Sequence, residues 1–412
     1  MGMEIIDFKA TKCKHCYKCV RYCGVKAIQV KDERAVIMPD KCILCGHCLK
    51  ICPQSAKTLK SDLNMVRGFL REGMRVVVSI APSYMGLLKY KTIGQVRGAL
   101  LRLGFEDVRE TSEGAAFVTA EYTKLLAEHK MENIITTCCP SANDLVEIYY
   151  PQLIPCLAPV VSPMIAHGKL LKEELGCDVK VVFLGPCIAK KKEAMDLRHE
   201  GYIDAVLNFN DINKWLEEED IVIGDCEDRP FTAFDPKVNR LYPVTNGVVN
   251  SVLATEEKGD GYRKFYVHGE DNCIDLCKSM SRGEIKGCFI EMNMCSGGWG
   301  PNFENTKKLL KETLKLDVPI AGEESPIAPY GSVFWFRPKA LAPLFDHGWQ
   351  HTDFPPEPLP QDGTISHAIE RVYPFVAQAA GYYPAVVMSR DYAVIRNDTM
   401  QAYATGMIRP LA

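Results

Sequence analysis

The chain has 412 residues, 25% of them charged, and a formal net charge of −3. That length supports two or three domains with their own cores, and the balanced charge gives no basis for nucleic acid or an anionic membrane as partner. No apolar run approaches the roughly 18–20 residues of a bilayer span, and the opening MGMEIIDFKATKC lacks a signal-peptide pattern, so the expected location is cytoplasmic.

Cysteine carries the clearest signal. Eighteen Cys in such a chain argue for metal rather than disulfides, because the cytosol keeps thiols reduced. Cys13, Cys16, Cys19 and Cys23 are spaced C-x-x-C-x-x-C-x-x-x-C, and Cys42, Cys45, Cys48 and Cys52 repeat that spacing before Pro53. This duplicated register is similar to that of bacterial ferredoxins, in which the fourth Cys of each run ligates the other cluster. The resemblance implies two 4Fe–4S clusters, one on Cys13, Cys16, Cys19 and Cys52, the other on Cys42, Cys45, Cys48 and Cys23. Three thiolates from a tight loop reach three corners of a cubane, and a distant one closes the fourth. Zinc also accepts C-x-x-C pairs, but eight Cys in duplicate weigh against it. Gly24 stands where Pro is usual, which leaves the ligands intact, and His15 and His47 read as exposed spacers. The domain is expected over residues 1–60 as two βαβ-like halves. Two cubanes this close suit electron relay to a further redox centre in the chain and to an external donor or acceptor.

Beyond residue 60 the pattern is α/β. RVVVSIAPS (75–83) reads as a buried parallel strand, IGQVRGALLRLGF (93–105) and AAFVTAEYTKLLAEH (115–129) as helices. NIITTCCP, VKVVFLGPC and GCFIEMNMC are three strands that each end in Cys, the end where open α/β sheets gather functional groups.

ITTCCPSAND, FLGPCIAKKKEA and EMNMCSGG resemble the three signature segments of FeFe-hydrogenase catalytic domains, and APVVSPMIAHGKLLK and AEYTKLLAE are similar to the family's sensory branches. The resemblance runs from Cys13 to Gly298. It implies that Cys139, Cys187 and Cys295 are cubane ligands and that Cys138 passes protons to a di-iron unit. It also implies that Lys190 and the turn Ala81–Pro82–Ser83 donate hydrogen bonds to that unit's cyanides, and that Glu121 stands on the proton route, with Lys124 in place of a second acid. The family motif continues Cys-x-Gly-Gly-Cys, its last Cys bridging cubane and di-iron unit, whereas this chain reads Cys295-Ser-Gly-Gly-Trp299. Indole cannot bridge iron. The third site therefore offers three thiolates for a cubane with one open iron, or no cluster, and no di-iron unit is expected.

The remaining cysteines have ordinary readings. Cys156, Cys177, Cys226 and Cys288 read as buried thiols. Cys273 and Cys277 lie four apart in NCIDLCKSM, a spacing able to seat a metal on a helix face, a reading we weigh lightly. His167 reads as structural.

All 18 Cys precede Ser296, while three of the four Trp (Trp299, Trp335, Trp349) follow it, so the composition changes inside the motif. Either a metal loop ends there before an ordinary carboxy-terminal domain, or two unrelated sequences meet; we favour the second. Residues 299–412 resemble the carboxy-terminal part of rhamnan synthesis protein F, a family of polysaccharide glycosyltransferases. Asp362, with His367 and Glu370 on the next turns, is the residue set the resemblance offers as acceptor base; a helix cap explains Asp362 equally well.

The expected fold class is α/β: a two-cluster ferredoxin domain (1–60), an incomplete hydrogenase-like α/β domain (61–298) and a small α/β or irregular tail (299–412). The expected function is an iron–sulfur electron-transfer or redox-sensing protein of hydrogenase ancestry that works with a redox partner such as ferredoxin, flavodoxin or an NAD-linked subunit. The alternatives are a hydrogenase or hydrogen sensor, and a glycosyltransferase fragment.

Overall fold

The computed structural model describes residues 5–231, 239–243, 246–255, 261–295, 306, 308–316, 337–354 and 365–382. The chain forms two compact units, Met1–Cys295 and Ser296–Ala412.

The cysteine-rich segment contributes four short strands, β1 (Ile6–Phe8), β2 (Ile28–Lys31), β3 (Arg34–Ile37) and β4 (Lys57–Leu59). β1 pairs antiparallel with β4, and β2 with β3. In chain order each half runs strand, helix, strand, as expected, and the strands pair across the halves as two antiparallel ribbons. The helices between them, Lys18–Arg21 and His47–Lys50, are single turns, too short for the crossover that parallel strands need. Between β2 and β3 the chain reverses on Asp32 and Glu33, at φ 48° and 60°, a turn whose twist matches that of the strands. Tyr17 Oη donates to Glu33 O at 3.0 Å, and His15 Nδ1 lies 2.6 Å from the same oxygen. His15 is exposed but fastens this turn to the first cysteine loop.

Seven strands follow: β5 (Val76–Ile80), β6 (Asp107–Glu110), β7 (Asn133–Ile135), β8 (Lys180–Leu184), β9 (Ala205–Leu207), β10 (Arg263–His268) and β11 (Cys288–Asn293). They build two parallel sheets, ordered β6-β5-β8-β9 and β10-β11-β7. Every residue of β5 is buried. Val76, Val78 and Ile80 enter a core with Leu100 and Trp215, while Val77 enters another with Val181, Phe183 and Ile165. Both faces of this sheet are therefore covered, which is why its strands read as unbroken apolar runs. The smaller sheet sends Ile135, Ile290 and Met292 into a third core with Leu145, Cys273 and Ile43.

The helix predicted at 93–105 spans Ile93–Arg102; Gln95 Oε1 accepts the Thr92 N–H at its start, and Gly104, at φ 101°, follows its end. The next, Ser112–Glu128, crosses Pro163–Leu175 where Gly114 permits backbone contact. A Cβ at Gly114 would stand 2.3 Å from Pro163 O and 2.7 Å from His167 N. Gly114→Ala is expected to destabilise the unit by about 1–3 kcal/mol through overpacking. The check is a lower denaturant midpoint at unchanged m-value.

In the second unit, helix Ile365–Ala379, helix Ala342–Phe345 and a π-helical turn at Leu309–Thr313 share a core that includes Leu309, Leu310, Leu344, Val372 and Val376. No strand occurs among its described residues. Trp299 and Asp362 lie outside the described residues. Among the described residues, no helix is long and apolar enough to cross a membrane.

Candidate iron–sulfur centres

Two cavities occupy the cysteine-rich segment. Cys13, Cys16, Cys19 and Cys52 line about 370 Å³ of space, and Cys42, Cys45, Cys48 and Cys23 line about 360 Å³. Cys23 thus stands with the second run and Cys52 with the first. The loops have the same backbone at matching positions, with positive φ at His15 and Tyr17 in one and at Leu44 and Gly46 in the other. Ala27 N–H donates to Cys23 Sγ, and Ala56 N–H to Cys52 Sγ, both at 3.3 Å. Among the described residues, no three His, Cys, Asp or Glu side chains stand close enough to hold a single metal ion. Four thiols around a cavity suit a cubane, whose corners are wider apart than one ion's ligands.

Burial raises most of these thiols. It pushes Cys48 up to about 12, opposed by the Lys57 charge and assisted by neighbouring thiols. Burial also raises Cys45, with Glu270 adding to it. Burial of Cys52 is slight and is overcome by the N–H groups of Ala56, Gln54 and Lys57, which hold this thiol below its ordinary value. Iron must displace the protons of the raised thiols to bind. Lys57, which the sequence reading passed over, is buried, lines the first cavity and lies 4.8 Å from the centre of the Phe8 ring. Its charge favours the thiolates of Cys19, Cys48 and Cys52. His47 is half-buried rather than exposed, and its Nε2 has no hydrogen-bond partner among the described residues.

The third group lies where three strands end. β7 leads to Cys138 and Cys139, with Cys139 capping helix Pro140–Tyr149. β8 leads to Cys187 ahead of helix Ala189–Ala194, and β11 leads to Cys295. These are not three neighbouring strands, as expected: β7 and β11 pair in one sheet, while β8 belongs to the other. The thiols from the two sheets nevertheless act on one another: Cys187 on Cys139, and both on Cys295. Burial and then Cys187 raise Cys139 to about 11. Burial and then Cys139 and Cys187 raise Cys295 to about 12, with Lys50 opposing. The Cys295 residue as a whole is exposed, but its thiol is enclosed, and burial is the largest cause of the shift. Met294 N–H donates to Cys139 Sγ at 3.5 Å.

Lys190, 8% exposed, donates to Cys138 O at 3.1 Å and to Glu193 Oε2 at 2.7 Å. Its charge favours the thiolates of Cys187, Cys138 and Cys139. Cys138 Sγ lies 3.4 Å from Tyr122 Oη, and burial lifts this thiol to about 12. Ala81 is buried, and Ser83 Oγ is buried with no partner among the described residues.

Glu121 is not part of this group. Its side chain is 56% exposed and pairs with Lys124 at 3.6 Å. The carboxylates whose charge acts on Cys138 are Glu291 and Glu193; Glu291 is fully buried on β11, and its Oε2 accepts from Val248 N at 2.9 Å and Val249 N at 3.1 Å. Burial raises Glu291 to about 7 against these N–H groups. An acid raised on folding contributes full stability below its unfolded value, and that contribution is lost as pH rises through 7. Glu291→Gln gives up one accepting oxygen at any pH, but its stability relative to wild type is expected to rise by roughly 3 kcal/mol between pH 4.5 and pH 8, since its amide does not ionise. Denaturant melts at the two pH values measure this.

Other cysteines divide. Cys226, Cys273, Cys277 and Cys288 are buried and Cys156 half-buried, but Cys177 is exposed, contrary to expectation. His167 is fully buried, with Nδ1 2.8 Å from Ser79 Oγ. Burial and then Arg109 lower it to about 3, so it is neutral at pH 7 and makes no ion pair with Glu113.

Known proteins give this arrangement its family. The model of the iron only hydrogenase large subunit, C-terminal domain, matches residues 74–299, more than half of the chain. The chain belongs to the iron-only hydrogenase family. A 4Fe-4S dicluster domain matches residues 5–53 and rhamnan synthesis protein F residues 285–382. The last match begins ahead of Trp299 and overlaps the hydrogenase match across β11. Iron hydrogenase 1 of Clostridium pasteurianum is 25% identical over 382 residues, covering 74% of this chain and 66% of that protein. This hydrogenase-family chain thus spans just under two thirds of that relative. A ferredoxin of Methanothermococcus thermolithotrophicus is 30% identical over 56 residues, covering 13% of this chain and 93% of that protein. Among solved structures, an FeFe-hydrogenase from Chlamydomonas reinhardtii is 20% identical with a TM-score of 0.49, covering 58% of this chain and 84% of that one.

Proposed function

We propose that this hydrogenase-related iron–sulfur protein transfers electrons or senses redox state, and does not turn over hydrogen. Cys13, Cys16, Cys19 and Cys52 hold one 4Fe–4S cluster; Cys42, Cys45, Cys48 and Cys23 hold the second; Cys139, Cys187 and Cys295 hold three corners of a third. The observation that carries the reading is that the thiols of Cys139, Cys187 and Cys295 act on one another beside Lys190, joined to Trp299 where the family motif has its bridging Cys. Clusters supply one-electron storage when bound. The chain's part is to fix them and keep the third from water. Tyr149 Oη, at the end of helix Pro140–Tyr149, ties the cysteine-rich segment to that helix by donating to Val25 O at 3.1 Å and Lys41 O at 2.7 Å. Ile43 from that loop packs in one core with Cys139. Electrons therefore have a compact route from an external carrier, such as ferredoxin, flavodoxin or an NAD-linked subunit, through the paired clusters to the third site.

Lys190, Cys138 and Ser83 are the residues of a di-iron pocket, retained here around a site whose motif lacks the bridge. The reading assigns residues 1–60 to electron entry and 61–298 to the third centre, and it assigns no sugar transfer to 299–412. Anaerobic reconstitution with iron and sulfide tests it. About twelve iron atoms per chain are expected, reducible by dithionite, with hydrogen uptake no greater than that of a ferredoxin after treatment with di-iron maturation enzymes. About eight iron atoms would remove the third cluster, and hydrogen uptake at hydrogenase rates would establish the alternative, an active hydrogenase.

A further inference from the structure

A cubane on three thiolates leaves one iron without a protein ligand, and the motif residue that would supply it is Trp299. A fourth thiol nevertheless borders the segment that ends in Cys295. Cys273 is fully buried on helix Glu270–Ser281, the element that follows β10 and packs beside β11. The start of this helix is pinned to the end of β11: Gly269 N–H lies 3.0 Å from Asn293 O and 3.2 Å from Cys295 O. One turn on, Cys273 N–H donates to Gly269 O at 3.0 Å, which closes the helix and carries the thiol inward. Its Sγ then lies 3.4 Å from Asn293 O.

Three sulfurs therefore border the segment Asn293–Met294–Cys295. Cys273 Sγ contacts the carbonyl of Asn293, Cys139 Sγ accepts from the N–H of Met294, and Cys295 supplies its own. Cys273 and Cys139 share one apolar core with Met292 and Met294. The thiols whose charge acts most on Cys273 include Cys139 and Cys295. Cys277, one turn further along the helix, is also buried, but burial alone raises its thiol, and no third-site thiol acts on it.

We propose that Cys273 is the fourth ligand of the third cluster, closing on the helix side the corner that the motif leaves open at Trp299. The cluster is then an all-cysteine cubane on Cys139, Cys187, Cys295 and Cys273. Cys273 would bind as its thiolate, giving up its thiol proton to solvent. A coordinatively closed cubane can pass electrons but presents no open iron to a substrate, which fits electron transfer or sensing better than turnover.

This inference rests on the third cluster of the proposed function, and the test separates the two. Full-length wild type, Cys273→Ser and Cys277→Ser are reconstituted anaerobically, counted for iron and sulfide, and examined by EPR after mild oxidation. Wild type and Cys277→Ser are expected to hold about twelve irons and to resist oxidation. Cys273→Ser is expected to lose its uncapped iron on oxidation, giving a three-iron signal and about eleven irons, or to lose the cluster and fall to about eight. The two ferredoxin-type clusters, retained in either case, report that the variant has folded. Wild type at about eight irons would overturn the third cluster itself. Wild type and Cys273→Ser alike at about twelve, with neither giving a three-iron signal, would overturn only the role of Cys273, as would a three-iron signal already present in oxidised wild type.

Discussion

Cys23→Ser is expected to remove the cluster of the second cysteine run and to leave that of the first. Cys23 belongs to the first run in sequence, but it lines the cavity of Cys42, Cys45 and Cys48. Its thiol is raised by burial and then lowered in part by the Ala27 N–H, a setting in which a bound thiolate is kept from water. A serine hydroxyl ligates iron far more weakly, so the variant should lose about four irons per chain. Iron content alone does not say which cavity emptied. Alkylation under anaerobic conditions followed by peptide mapping does. Cys42, Cys45 and Cys48 should become labelled while Cys13, Cys16, Cys19 and Cys52 stay protected. Cys52→Ser should give the mirror image. Labelling of Cys13, Cys16 and Cys19 in Cys23→Ser would show that each run closes on itself.

The three loop thiols of each set were legible because ligand spacing is local, whereas the exchange of Cys23 and Cys52 between the runs came from the ferredoxin resemblance. Strand pairing in the same segment was not legible. It depends on whether the intervening helices are long enough for a crossover, and Lys18–Arg21 and His47–Lys50 are not. In the α/β part, β5, β8 and β11 announce themselves as apolar runs, but nothing local says which sheet each joins. That is why Cys187 was expected beside its partners on neighbouring strands and is instead brought from the other sheet.

The exposure of Glu121 follows from helical periodicity. In helix Ser112–Glu128 the buried stripe runs through Ala115, Val118, Thr119, Tyr122 and Leu126. Helical spacing places Tyr122 inside and its neighbour Glu121 outside. Glu291 was open to the same logic, since β11 is buried through Met292 and any carboxylate on it must be desolvated. Cys273 lies on a stripe with Leu276, Cys277 and Met280, all buried, which in sequence is indistinguishable from an ordinary helical core. Only the folding of that helix onto β11 brings it beside Cys139 and Cys295.

Lys190→Met is expected to cost both stability and the third cluster, and the two losses separate. Lys190 and Glu193 form a pair at 2.7 Å with each side chain only 10% exposed. Removing one member of such a pair strands the other charge, at a cost of about 3–5 kcal/mol. Removing both leaves no stranded charge, so Lys190→Met/Glu193→Gln should regain most of that stability, and a double-mutant cycle measures the coupling. The cluster should not return with it. Lys190 favours the thiolates of Cys187, Cys138 and Cys139, and a cubane is held by thiolates, not thiols. The double variant should therefore melt near wild type yet hold the third cluster less well, because the Lys190 charge it removes acts on these thiols more strongly than the opposing Glu193 charge removed with it, and its reduction potential should fall by less than in Lys190→Met alone. Stability restored together with wild-type iron content and potential would mean that Lys190 serves only to neutralise Glu193.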